Sequence, residues 1–260
     1  MRETGKNIDI NVSTGTMPLE PRIDIENLTI GFGNQEVLKN ISLKLYNGEN
    51  LVVLGKSGSG KSVLIKCIVR LLEPEDGTIE VLGSKVGSLN MKELAELRKK
   101  IGFLFQSGAL YDSMTVRENL EFPLRRIKKN LTEKEVKEKV DEVLENVGLA
   151  DALNKMPSQL SGGMRKRISL ARTIVVDPLI MLYDEPTTGL DPATSDEISV
   201  LINDVQKKYK TSSLIITHDI ECVRNTADRI IMLHEGEVYM EGNIEKFEKS
   251  SDPLVRSFFK

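Results

Sequence analysis

Apolar and polar positions along this chain change period several times, and each change marks an element. Over 22–30 apolar residues alternate with polar ones (Ile23, Ile25, Leu28, Ile30), the two-residue period of a half-buried strand. Ile41-Ser42-Leu43-Lys44-Leu45 predicts a second strand, and Asn47-Gly48 behind it is a turn signal. Leu51-Val52-Val53-Leu54 is unbroken apolar sequence, as expected of a strand covered on both faces. Val63, Leu64, Ile65, Ile68 and Val69 then open a helix. Further on, Thr132 and Glu135 have capping-box spacing, and Val136, Val140, Val143, Leu144 and Val147 recur at helical intervals. From 107 to 160 the pattern is helix and loop without a buried strand. Buried-strand patterns return over 179–183 and 214–216, and a hairpin is predicted from 230–233, the turn Glu235-Gly236 and 238–240. The first twenty residues have no periodicity and read as a flexible lead-in. The pattern predicts an α/β core interrupted by an inserted helical subdomain.

Composition narrows the class. A net charge of −3 over 260 residues gives no global basic field, and aromatics at 5% with no Trp offer no stacking platform; nucleic acid is not an expected partner. Every apolar run is far short of the ~20 residues that span a bilayer as a helix. The opening residues carry Asp and Glu and no apolar h-region, so no secretory signal is expected. Cys67 and Cys222, the two cysteines, have neither metal-ligand spacing nor a disulfide framework, and a cytoplasmic, reducing setting is expected.

Gly55-Lys56-Ser57-Gly58-Ser59-Gly60-Lys61-Ser62 fits the P-loop pattern, between a buried strand and a helix. Glycines let the backbone turn tightly enough for successive N–H groups to face a phosphate, and the following helix adds the positive end of its dipole. Lys61 is then expected to reach the β- and γ-phosphates of ATP, and the Ser62 hydroxyl to ligate Mg²⁺. A chance glycine turn before a helix is the bland alternative, and the full eight-residue pattern argues against it.

The run 179–183 ends in Asp184-Glu185. Carboxylates at the carboxyl end of a parallel strand sit where ligands bind in open α/β sheets. Asp184 is expected to hold Mg²⁺ and Glu185 to act as general base on the attacking water. His218, one of two histidines, follows the strand 214–216 between Thr217 and Asp219 and is expected to sense the γ-phosphate. His234, in the predicted hairpin, reads as structural.

Leu160-Ser161-Gly162-Gly163-Met164 puts a good N-cap and two glycines at a helix start, a second anion site with no strand ahead of it. Here the chain resembles the ABC-transporter ATPases, whose signature is LSGG(Q). The resemblance covers roughly 22–250. It implies an α/β P-loop NTPase core with an antiparallel β subdomain and an inserted helical subdomain at about 107–165. The expected division is lead-in 1–20, ATPase domain 21–250 and tail 251–260. It implies that Ser161, Gly162 and Gly163 face the γ-phosphate held by a second copy, so that two MgATP are sandwiched in a homodimer. It also implies adenine stacking on Phe32 with Val37 close behind, Q-loop Gln106 sensing Mg²⁺ and water, D-loop Asp191 crossing the interface, and His218 as the switch histidine. Three positions depart from the family pattern: Val63 where many relatives have Ser or Thr, Met164 for Gln, and Phe32 for Tyr.

The stretch Phe105-Gln106-Ser107-Gly108-Ala109-Leu110-Tyr111-Asp112-Ser113-Met114-Thr115-Val116 is similar to the Q-loop of the mammalian-cell-entry (Mce) lipid transporters, which include the maintenance-of-lipid-asymmetry (Mla) ATPase. Met164 and the ending 252–259 share that likeness. It implies an integral membrane permease as partner, a Mce-type substrate-binding protein and a small accessory subunit, lipid cargo, and a peripheral place on the cytoplasmic side of the inner membrane. Importers of amino acids or other small solutes, and ABC ATPases that serve no transporter, are the alternatives. The basic runs Arg125-Arg126-Ile127-Lys128-Lys129 and Arg165-Lys166-Arg167 read as solvated or ion-paired surface. Phe258-Phe259 is expected to dock either on the chain's own fold or on a partner subunit.

Overall fold

The computed structural model describes residues 20–259, so the lead-in expected over 1–20 lies outside the described residues except for Glu20. The strands are β1 (Ile23–Phe32), β2 (Gln35–Leu45), β3 (Asn50–Leu54), β4 (Asp76–Val81), β5 (Ser84–Lys85), β6 (Ile101–Leu104), β7 (Ile180–Asp184), β8 (Ser212–Thr217), β9 (Arg229–His234) and β10 (Glu237–Gly242). The helices are α1 (Lys61–Ile68), α2 (Met91–Arg98), α3 (Val116–Ile127), α4 (Glu133–Asn146), α5 (Gly162–Ile174), α6 (Pro192–Tyr209), α7 (Ile220–Thr226), α8 (Ile244–Glu248) and α9 (Pro253–Arg256).

Two sheets result. One is antiparallel, ordered β2-β1-β4-β5. The other is ordered β10-β9-β3-β8-β7-β6, parallel from β9 to β6, with β10 turned back antiparallel on β9. Because side chains alternate along a strand, the parallel sheet divides its residues between two cores. Leu51, Val53, Ile180, Leu182, Leu214, Ile216, Ile231 and Leu233 pack with the antiparallel sheet and with Leu64, Ile65 and Ile68 of α1. Val52, Leu54, Met181, Tyr183, Ile215, Ile230 and Met232 pack on the other side with α3 to α7. The unbroken apolar runs of the sequence are therefore two interleaved half-patterns, each facing a different core.

The helical region follows its own local rules. Thr115 with Glu118 and Thr132 with Glu135 close capping boxes at the starts of α3 and α4. The apolar face of α4 (Val136, Val140, Val143, Leu144) is buried in the second core. Asn119, fully buried on α3, donates from Nδ2 to the carbonyls of Tyr111, Met114 and Thr115 and accepts from the Tyr111 N–H, which pins the loop before α3.

Some expectations change. Leu179 is 43% exposed and lies outside β7, which runs one residue further, to Asp184. Lys166, read as surface, is buried. Its neighbour Arg167 pairs with Glu197, and Arg125 pairs with Glu121 and Glu133. Phe258 and Phe259 pack on the chain's own fold: the Phe259 ring lies 6.0 Å from that of Phe247, and Lys56 Nζ sits 5.9 Å from the Phe258 centroid. His234 lies edge-on to Tyr239 at 5.7 Å.

Candidate active site

β3, β7 and β8 are neighbours in the parallel sheet and end side by side, so the loops that follow them meet. The loop after β3, Gly55 to Gly60, turns with Gly58 at φ 84° and Gly60 at φ 97°, in the left-handed region that favours glycine. At Gly60 the need is also steric, since a Cβ there would run into the Leu38 side chain. Lys61, the first residue of α1, folds back over this loop. Its Nζ donates to the carbonyls of Gly55 at 2.7 Å and Lys56 at 3.1 Å, and lies 3.3 Å from Glu185 Oε1. A lysine with only 6% of its side chain exposed needs all three acceptors, because an unpartnered buried charge is very costly.

The two acids at the end of β7 differ in surroundings. Asp184 Oδ1 accepts from Ser62 Oγ at 3.1 Å. Burial raises its carboxyl above the usual range, with the Ser62 hydroxyl working against that. A buried carboxylate beside a hydroxyl, short of cationic partners, suits a hard divalent ion. Mg²⁺ is commonly held by one or two carboxylates plus substrate phosphates, so the donor set of Ser62 and Asp184 fits it. Glu185 sits at φ 49°, which costs a non-glycine residue about 1–2 kcal/mol. Its N–H donates to the Ile216 carbonyl at 2.9 Å, and its own carbonyl accepts from the Thr188 N–H at 3.3 Å. Its Oε2 is 2.9 Å from His218 Nδ1 and accepts from Thr188 Oγ1 at 3.2 Å. With Glu185 ionised, the histidine contact places the proton on Nδ1.

These groups line one cleft of ≈ 380 Å³ that brings together Phe32, Val37, Ser57, Gly58, Gly60, Lys61, Ser62, Val63, Gln106, Glu185 and His218. Phe32, 51% exposed, stands at its rim. Gly55, Lys56 and Ser59 form the turn behind Lys61, and Asp184 lies beneath Ser62. Ser161, Gly162, Gly163 and Asp191 are not part of the cleft. Ser161 caps α5, its Oγ accepting from the Met164 N–H at 3.2 Å, on an exposed surface. Asp191 caps α6 through the Thr194 N–H at 3.0 Å and also accepts from Thr194 Oγ1 at 2.6 Å. Gly163 lies against the same threonine, where an added Cβ would be 2.5 Å from Thr194 Cγ2.

Three contributors escape the sequence reading. Thr188 holds Glu185 Oε2, Thr187 Oγ1 donates to Asp219 Oδ2 at 2.7 Å, and Lys166 reaches the carbonyls of both Gln106 and Glu185. Thr188 opens the stretch 188–191 that ends in D-loop Asp191, so position could have marked it, whereas Thr187 lies one residue ahead of that stretch. Nothing local marks Lys166, which sits in a basic run.

A P-loop folded against a strand-end acid pair, with a capped glycine signature on a separate surface, defines an ATP-binding cassette. The chain belongs to that family: the model described as "ABC transporter" matches residues 38–188. It is 41% identical to the "Probable ribonucleotide transport ATP-binding protein mkl" of Mycobacterium leprae (strain TN), over 94% of this chain and 70% of that one. It is 38% identical to the "Protein TRIGALACTOSYLDIACYLGLYCEROL 3, chloroplastic" of Arabidopsis thaliana, over 91% of this chain and 72% of that one. Among solved structures, a dimeric ATP-binding cassette in a post-hydrolysis state bound to ADP and Pi superposes with a TM-score of 0.78 at 33% identity, covering 85% of this chain and 98% of the other. The fold is that of an ABC ATPase, and the chain is an ATPase that uses ATP with Mg²⁺. No helix among the described residues is long and apolar enough to cross a membrane.

Proposed function

We propose that this chain is the ATP-hydrolysing subunit of a transporter for phospholipid or another hydrophobic cargo, working as a homodimer on the cytoplasmic side of the inner membrane beneath an integral membrane permease. The observation that carries the hydrolytic reading is the Lys61, Glu185 and His218 cluster in one cleft, with Ser62 and Asp184 beside it. The cargo reading is supported by the Q-loop stretch 105–116 and by the likeness to a relative named for trigalactosyldiacylglycerol, a lipid. A small-solute reading has the relative named for ribonucleotide transport in its favour.

The residues divide the work as follows. Phe32 and Val37 offer an apolar wall to adenine. The N–H groups of the loop from Ser57 to Ser62 and the start of α1 donate to the phosphate oxygens, with Lys61 leaving Glu185 to reach the β- and γ-oxygens. Ser62 and Asp184, with Gln106 in the same cleft, would hold Mg²⁺, which would supply charge neutralisation at the phosphates. Glu185 accepts a proton from the attacking water, and His218 holds the carboxylate in place and senses the γ-phosphate. Ser161, Gly162 and Gly163, outside the cleft of their own chain, face the nucleotide of a second copy. Asp191 sits beside that interface. Hydrolysis removes the anion both copies grip, and the dimer opens.

Two experiments test the proposal. Lys61→Ala is expected to abolish nucleotide binding or turnover; a variant that keeps both refutes the P-loop assignment. Purification of the chain with its native partners is expected to bring down an integral membrane protein with bound phospholipid. Recovery with a permease that carries a small solute and no lipid overturns the cargo.

A further inference from the structure

Lys166 is the fifth residue of α5, the helix whose first turn carries the glycine signature. Only 6% of it is exposed. Its Nζ donates to the Gln106 carbonyl at 2.9 Å and to the Glu185 carbonyl at 3.4 Å. No carboxylate lies within ion-pair distance of it among the described residues, although Arg167 next along the helix pairs with Glu197. Burial brings its pKa down to about 8, with the more distant Asp184 and Glu185 charges working to raise it. A fold indifferent to this position would favour an apolar side chain, because an ammonium buried without a counter-ion is among the costliest groups to place in a core. What offsets part of that cost is the pair of carbonyls it joins.

Those carbonyls belong to separate segments of the chain, the loop after β6 and the turn after β7. Gln106 follows β6, which ends at Leu104, and opens the loop pinned by Asn119. Glu185 follows β7 in a left-handed turn held otherwise by its N–H to Ile216 and by the Thr188 N–H to its own carbonyl. We propose that Lys166 is a positioning residue: its ammonium ties the signature helix, the Q-loop and the backbone of Glu185 into one body, so that the general base is aimed correctly only when signature helix and Q-loop are in register. This deepens the hydrolytic reading above and rests on Glu185 being the base. Lys166 touches no reacting atom; it acts through the peptide that carries the carboxylate. A left-handed non-glycine residue persists only where its surroundings hold it, and removing one of two groups on its carbonyl frees the carboxylate to swing from the attack line. Misplacement of about 1 Å in a catalytic group can cost about 100-fold in rate.

The test measures turnover and nucleotide affinity separately, on the purified chain and, where available, on the complex with its permease. Lys166→Met keeps most of the length and removes the donor; Lys166→Arg restores N–H donors. The Met variant is expected to lose about 10- to 100-fold in kcat while the Kd for MgATP, read with a fluorescent nucleotide, stays within about twofold of the parent. The Arg variant is expected to recover most of the lost kcat. Lys166→Gln, a shorter neutral donor, is expected to fall between them and serves if the Met variant does not fold. Wild-type kcat in the Met or Gln variant overturns the proposal, as does a parallel loss of kcat and ATP affinity, which would make the lysine a general structural support. Glu185→Gln run alongside separates the two levels: if it retains turnover, the base assignment fails, whereas near-zero turnover in it with full turnover in Lys166→Met removes the lysine tether alone.

Discussion

Replacing Glu185 by Gln tests the site at its centre, because the structure makes two opposed claims about that carboxylate. Oε2 faces His218 and Thr188, while Oε1 lies 3.3 Å from Lys61. The amide keeps the shape and cannot take a proton. Loss of a general base costs about 10²–10⁴ in rate. Binding is expected to change in the other direction. Lys61 must leave Glu185 to reach the phosphates, and both side chains are at least nine-tenths buried, so solvent screens the pair little. Hydrogen bonds to charged groups contribute about 1.5–3 kcal/mol, and charge assistance accounts for roughly half of that. An amide oxygen can still face Lys61, so what disappears is about 0.75–1.5 kcal/mol of competition with ATP. MgATP should therefore bind roughly 3- to 12-fold tighter while phosphate release falls at least about 100-fold. The sequence has no Trp, so the affinity is best read by calorimetry or with a fluorescent nucleotide rather than from indole emission. Turnover within tenfold of the parent refutes the base assignment, and weaker ATP binding refutes the view that Glu185 and the phosphates compete for Lys61.

Three further outcomes follow from particular contacts. Gly163→Ala should lower stability by about 1–3 kcal/mol in thermal unfolding, because its methyl would press on Thr194 Cγ2; the added change Thr194→Ser, which removes that methyl, should restore most of it, and no recovery would refute the steric account. Tyr183→Phe should leave the protein as stable or about 1 kcal/mol more stable in denaturant unfolding, since the buried Tyr183 hydroxyl has no hydrogen-bond partner among the described residues; a loss above about 1 kcal/mol would show that the hydroxyl is satisfied. Burial pushes the Cys67 and Cys222 thiols up to about 11 and about 12, so at pH 8 the reactive thiolate is scarcer than in a free cysteine by roughly 100-fold at Cys67. Alkylation followed by mass spectrometry should stay slow in the folded protein, rise as pH approaches those values, and become fast on denaturation; rapid labelling of the native chain at pH 8 would contradict the burial.

The elements that border the site were legible because each had a strong local cause. Leu51 to Leu54 and Leu214 to Ile216 form part of strands β3 and β8, and the Glu235-Gly236 turn has both residues at positive φ, as a tight hairpin requires. β4, paired with β1 on one side and the two-residue β5 on the other, escaped because a strand with only Ile79 and Val81 buried has too little pattern to read. α6 has its signals in plain view, with Asp191 as N-cap, Pro192 at the first position and Ile198, Leu201, Ile202 and Val205 on one face; the same Asp191 that matches the D-loop also caps the helix. Lys166 could not have been read at all. In a run with Arg165 and Arg167 its chemistry is that of a surface lysine, and only the tertiary approach of the Gln106 and Glu185 carbonyls makes it a core residue.

The strand that carries the P-loop has both of its neighbours far downstream. β3 ends at residue 54, and its partners β8 and β9 begin at residues 212 and 229. A ribosome adding about 5–20 residues per second needs roughly 10–35 s to make the 175 residues between Leu54 and Arg229. Throughout that interval the nascent chain holds an apolar β-segment with two open edges, the kind of surface that chaperones cover and that aggregates form around. Completion of the P-loop strand's pairing is thus a late event in the life of each molecule, reached only after β9 has been translated, and a product truncated before that point would carry the phosphate loop on an unpaired strand.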